Sequence, residues 1–123
     1  MKLKYFDLAQ KLSVKSTHPK HQLGCVIVKK NEVIGLGFNK FKTHPKSKHP
    51  FQMIHAELDA TLGINRTELE GADAYVYRET KDGNQAIAKP CPYCEAALRE
   101  VGIKNVYYTT DYGFDGLKLK ETR

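Results

Sequence analysis

An α/β sandwich built on a mixed sheet is the fold class this sequence predicts. Two observations lead there. Short apolar runs rich in β-branched residues alternate with stretches of helical periodicity, and the first two runs stand only a few polar residues apart, so the chain opens its sheet with an antiparallel hairpin. A third observation sets the scale: 123 residues suffice for one core and are too few for two ordinary ones, so residues 1–123 read as a single domain.

Leu3 to Val14 places Leu3, Phe6, Leu8 and Leu12, with Tyr5 and Ala9 beside them, at helical intervals, which predicts an amphipathic helix. Ser16 to Gln22 is polar, holds one proline and reads as a connector. Leu23 to Val28 and Val33 to Phe38 are the hairpin strands, with a tight turn near Asn31. Residues 39 to 52 carry Pro45, Pro50 and a basic cluster and are assigned to a loop. A second helix runs from Ala56 to a stop at Gly63, with Leu58 and Leu62 on one face. Ala72 to Tyr77 is a third strand, and residues 79 to 89, with Asp82-Gly83, form a loop or a small hairpin excursion. Pro92 suits the first turn of a helix in which Cys94, Ala97, Leu98 and Val101 recur up to Gly102. Val106 to Thr109 is a fourth strand, and the polar end from Thr110 frays or packs as an outer turn.

Composition narrows the function classes. Hydrophobic residues make up 41% and charged residues 28%, and no apolar run approaches the length needed to cross a bilayer. The start, Met1-Lys2-Leu3-Lys4, lacks the pattern of a secretory signal, so the reading is cytoplasmic, without a membrane partner. Three cysteines, two of them three positions apart, fit a metal site in a reducing compartment better than a disulfide framework. Cys25 lies in an apolar run and reads as a small buried hydrophobe. The net charge of +6 favours anionic partners. Lys40, Lys42, Lys46 and Lys48, interleaved with His44 and His49, read equally as a solvated loop or as contacts to substrate phosphate.

His55-Ala56-Glu57 and Pro90-Cys91-Pro92-Tyr93-Cys94 carry the chemistry, and each begins a predicted helix. Side chains in a first turn lean past the helix start and can meet at one point, where the helix dipole also favours anions. Zinc accepts imidazole and thiolate together. His55, Cys91 and Cys94 supply three ligands where a closed structural site normally has four, leaving a place for water that zinc acidifies. Glu57 beside them suits the proton transfers of hydrolysis, although alone it would read as a favourable charge in a helix's first turn. Without His55, the cysteine pair would fit structural zinc or redox chemistry. His18, His21, His44 and His49 have no such support as alternative ligands.

At these residues the chain resembles the cytidine deaminase-like superfamily, closest to deoxycytidylate deaminases and tRNA adenosine deaminases, over about Leu23 to Thr109. Leu23 to Val28, Val33 to Asn39, His55-Ala56-Glu57 and Pro90 to Cys94 carry the likeness. The resemblance implies a three-layer α/β/α sandwich with a five-stranded mixed sheet, one strand more than the pattern places, with the tail around Tyr112 to Lys120 the candidate for it. It further implies a Zn2+ cofactor, substrate contacts from Asn39, the amides of Ala56 and Cys91 and the Pro90 carbonyl, and assembly as a homo-oligomer. Asn39 also fits as a plain turn residue after its strand. The segment Thr80 to Lys89 departs from members that run almost directly from the third strand into Pro-Cys, and the stretch between Asn39 and His55 is short for the added elements of many deoxycytidylate deaminases.

The expected activity is hydrolytic deamination of a cytosine-type nucleotide, dCMP to dUMP, with nucleic acid as the alternative substrate. Phe38, Phe41, Phe51 and Tyr93 are the candidate stacking surfaces for that alternative, each with core as its other reading. A non-catalytic zinc-stabilised binding module is the reading from another class.

Overall fold

A computed structural model gives the fold, and it describes residues 2–16, 21–41, 53–54, 56–61, 63–80, 82–90 and 92–119. Helix α1 (Leu3–Ser13) is followed by the hairpin β1 (His21–Lys29) and β2 (Glu32–Phe38). Lys30 and Asn31 both take positive φ, at 52° and 63°, as a two-residue turn matched to strand twist requires. Next come β3 (Lys40–Phe41), β4 (Met53–Ile54), α2 (Ala56–Thr61), α3 (Arg66–Leu69) and β5 (Asp73–Thr80). The chain ends with β6 (Gln85–Ala86), α4 (Pro92–Glu100), β7 (Asn105–Thr109) and β8 (Phe114–Lys118).

The main sheet runs β2-β1-β5-β7-β8, with β6 added to β5, so it has six strands where five were expected. It is mixed: β5 and β7 pair in parallel across the α4 connection, and the other pairs are antiparallel. Strand β8 falls within the tail segment named for the missing strand, which corrects the fraying or outer turn expected beyond Thr110. β3 and β4 form a separate two-stranded ladder, so the assignment of 39–52 to loop fails at Lys40–Phe41. The lysine and histidine cluster at 42–49 and Phe51 lie outside the described residues.

Alternation along the central strands explains why they read as continuous apolar runs. On β1, Cys25 and Ile27 face one core and Val26 and Val28 the other; on β5, Ala74 and Val76 divide from Tyr75 and Tyr77 in the same way. Helix α1 covers the second face with Tyr5, Phe6, Ala9 and Leu12, all buried. The opposite face is covered by Ala56 and Ala60 of α2, Leu69 of α3 and Leu98 of α4. The result is the three-layer α/β/α arrangement. No helix among the described residues is long and apolar enough to cross a membrane.

Two close approaches set the depth of the helices. A Cβ on Gly24 of β1 would stand 2.0 Å from the Ala9 carbonyl oxygen of α1, and one on Gly37 of β2 would stand 2.4 Å from the Ala60 nitrogen of α2. Only glycine lets backbone lie on backbone there.

Candidate functional site

Strand β2 delivers Asn39, 2% exposed, at its end. Asn39 donates its N–H to the Leu23 carbonyl at 3.2 Å, and its Oδ1 accepts the Leu23 N–H at 2.9 Å. The amide oxygen is therefore turned towards β1, which fixes the side chain's orientation beyond what a turn residue needs.

Helix α2 begins at Ala56, fully buried, with Glu57 next at 3% exposure. Six residues make a helix too short to hold itself in water, so its position is set by what it touches. Ala56 and Ala60 rest on Gly37, and the Asp59 carboxylate oxygen Oδ2 accepts the Phe38 N–H at 3.1 Å. Asp59 thus ties the helix bearing Glu57 to the strand end bearing Asn39. Asp59 carries no signal in the sequence, because its partner, the Phe38 amide, lies 21 residues away.

Helix α4 brings the second half. Pro90 is buried ahead of it, Pro92 opens its first turn, and Cys94 and Leu98 are both fully buried. α4 packs against α2. Cys25 of β1 lies in the same core as Ala56 of α2 and Leu98 of α4, fully buried as expected; burial pushes its thiol well up, and the negative charges of Glu57, Cys94 and Asp59 push it further. Glu57 and Cys94, each in the first turn of its helix, are thus both near enough to Cys25 to act on its thiol. His55 and Cys91 lie outside the described residues, and among the described residues no three His, Cys, Asp or Glu side chains stand as a metal-ligand set.

The donor chemistry still fits a cation. A carboxylate and a sulfur are buried on two helices that pack against each other. A divalent ion accepts such donors, and thiolate favours zinc. Tyr93, given core or stacking as its two readings, is 71% exposed on the first turn of α4 and is not core. Phe38 is half-buried against the α1 core.

A family model for the cytidine and deoxycytidylate deaminase zinc-binding region matches residues 1–110. A deoxycytidylate deaminase of Pongo abelii is 27% identical over 124 residues, which cover 87% of this chain and 64% of that protein. The tRNA-specific adenosine deaminase subunit tad2 of Schizosaccharomyces pombe is 35% identical over 105 residues, covering 85% of this chain and 24% of the relative. The chain thus spans less than two thirds of either relative. The crystal structure of the dCMP deaminase from the cyanophage S-TIM5 in apo form shares the fold, with a TM-score of 0.65 at 22% identity over 86% of this chain and 82% of that one. With its fold, its helix-borne Glu57 and Cys94 and a family match over most of its length, the chain belongs to the cytidine and deoxycytidylate deaminases, a family of zinc-binding hydrolases.

Proposed function

We propose that the chain, folded as one domain over residues 1–123, hydrolyses the exocyclic amine of a cytosine-type nucleotide, taking dCMP and water to dUMP and ammonia. The observation that supports this reading is the burial of Glu57 at the start of α2 and of Cys94 at the start of α4, on two helices that pack together. A zinc ion bound by His55, Cys91 and Cys94 would supply the Lewis acidity that makes water a nucleophile near neutral pH.

The chain's own residues do the rest. Glu57, screened from solvent, takes the two protons of the attacking water in turn and passes one to the ring nitrogen and one to the departing amine. Asn39, its amide oxygen anchored on Leu23, presents its other end towards the sugar or base. The Ala56 amide, in the first turn of its helix where no carbonyl of that helix reaches it, offers a donor near the reacting group, and the Pro90 carbonyl accepts from the amine as it leaves. Burial of Ala56 and Pro90 keeps bulk water from these contacts. A cytoplasmic setting and assembly as a homo-oligomer belong to the same reading.

A second substrate reading, a base within RNA or single-stranded DNA, draws support from the tad2 relative and from the exposed ring of Tyr93 beside the site. One panel separates the two. Mass spectrometry across free nucleobases, nucleosides, nucleotides and oligonucleotides is expected to find a gain of about 1 Da in dCMP. A gain confined to oligonucleotides, with binding that weakens steeply as salt rises, selects the second reading. No gain on any compound by the zinc-loaded chain overturns both.

A further inference from the structure

Strand β5 runs from Asp73 to Thr80, but β7 pairs with it only from Asp73 to Val76. Beyond that, β6 takes over the same edge at Arg78 and Glu79. The junction of these pairings is Thr109, the last residue of β7, which is fully buried. Its hydroxyl accepts the Arg78 N–H at 3.1 Å and donates to the Ala86 carbonyl at 2.7 Å, while its own carbonyl accepts the Ala88 N–H at 2.9 Å. One side chain thus satisfies a backbone donor of β5 and a backbone acceptor of β6 where the ladder changes partner.

The excursion is held at other points as well. Gln85 donates from Nε2 to the carbonyls of Thr110 and Gly113 at 2.9 and 2.7 Å, and the Arg78 guanidinium donates to the Ile87 carbonyl at 3.1 Å. The Thr80 to Lys89 segment, which departs from the family's short connection, is therefore built into the sheet. Two residues after the Ala88 anchor comes Pro90, buried, and α4 with Cys94 follows at once.

We propose that Thr109 is a positioning residue: by seating residues 86–90 it sets where Pro90 and the first turn of α4, with Cys94, stand relative to Glu57. The inference rests on the proposed zinc-dependent function and adds to it the part of this chain that holds the second half of the site in register. The Thr109 side chain reaches backbone groups of residues 78 and 86, so its effect on the site passes through the segment it anchors.

The test compares Thr109→Val, which keeps the shape and removes the hydroxyl, with Thr109→Ser, which keeps the hydroxyl. In the zinc-free chain, amide hydrogen exchange at Arg78 and Ala88 should speed up by about tenfold in the valine variant. Zinc affinity by chelator competition should weaken by about tenfold, at the lower end of losses for residues that orient ligands. The serine variant should restore both. Should the valine variant fail to fold, Gln85→Ala loosens the same segment from its solvent side and should weaken zinc in the same direction by less. Faster exchange with unchanged zinc affinity overturns the inference alone, as does unchanged exchange. A wild-type chain that takes up no zinc overturns it together with the proposed function.

Discussion

Helices α1 and α2 lie on opposite faces of the same sheet, each seated on a strand glycine, yet they are held by different means. α1 has eleven residues, and its Phe6 ring meets Tyr75 edge-on at 5.2 Å and Phe114 at 4.3 Å between centroids. α2 has six residues and rests on the Gly35 and Gly37 backbone, with a side-chain tie from Asp59 to the Phe38 amide. Broad apolar contact spreads the holding force, so damage to it appears as lost stability. A short helix held by backbone contact has no such reserve. Any displacement of it passes to Glu57, so damage appears as lost turnover.

The contrast can be broken in either direction. Phe6, 2% exposed, anchors the α1 face, and Phe6→Ala should cost about 3–5 kcal/mol in denaturant unfolding. Turnover per folded molecule should stay near that of the wild type. Gly37→Ala puts a methyl against the Ala56 carbonyl and the Ala60 nitrogen, and the shift it forces should lower kcat by about a hundredfold, with a smaller effect on unfolding. If the first variant lost turnover and the second only stability, the contrast would be wrong.

A smaller effect sharpens the account of the α1 face. Burial, and after it the Glu79 carboxylate, pushes the Tyr77 hydroxyl up to about 12. The folded chain then holds this proton more tightly than the unfolded chain does. Its contribution to stability is complete below about pH 10 and is lost as pH rises towards about 12. Burial raises Tyr75 and Tyr107, on the same face, in the same direction. Unfolding measured against pH should show stability falling over this alkaline range, and Tyr77→Phe should make the fall shallower. An unchanged slope in that variant would remove Tyr77 from the account.

Much of the fold was legible because both faces of the central strands are covered. The run Leu23 to Val28 stands out as apolar for that reason, Val33 to Phe38 stands out from the sheet edge with Val33 and Leu36 exposed, and the helical spacing of Phe6, Ala9 and Leu12 matches a broad buried stripe. Strand β8 was not legible from its pattern. It lies at the sheet edge, and apart from Leu117 its residues are exposed, so no alternation marks it. β6 and the β3–β4 pair are two residues long each, too short for a periodicity to register. Within the candidate site, Glu57 and Cys94 stand out in the sequence as residue types whose chemistry has few other uses in combination, and their roles rest on the proposed function. Asp59 and Thr109 do not stand out, because each acts through a backbone group distant in sequence: Phe38 for one, Arg78 and Ala86 for the other.

The central claim joins a metal and a carboxylate in one reaction, and the most direct test measures zinc content and dCMP turnover on the same preparations of wild-type chain and Glu57→Gln. Both should hold about one zinc per chain. The variant should lose turnover on the order of a thousandfold. A variant that keeps its zinc and still converts dCMP at the wild-type rate would contradict the account.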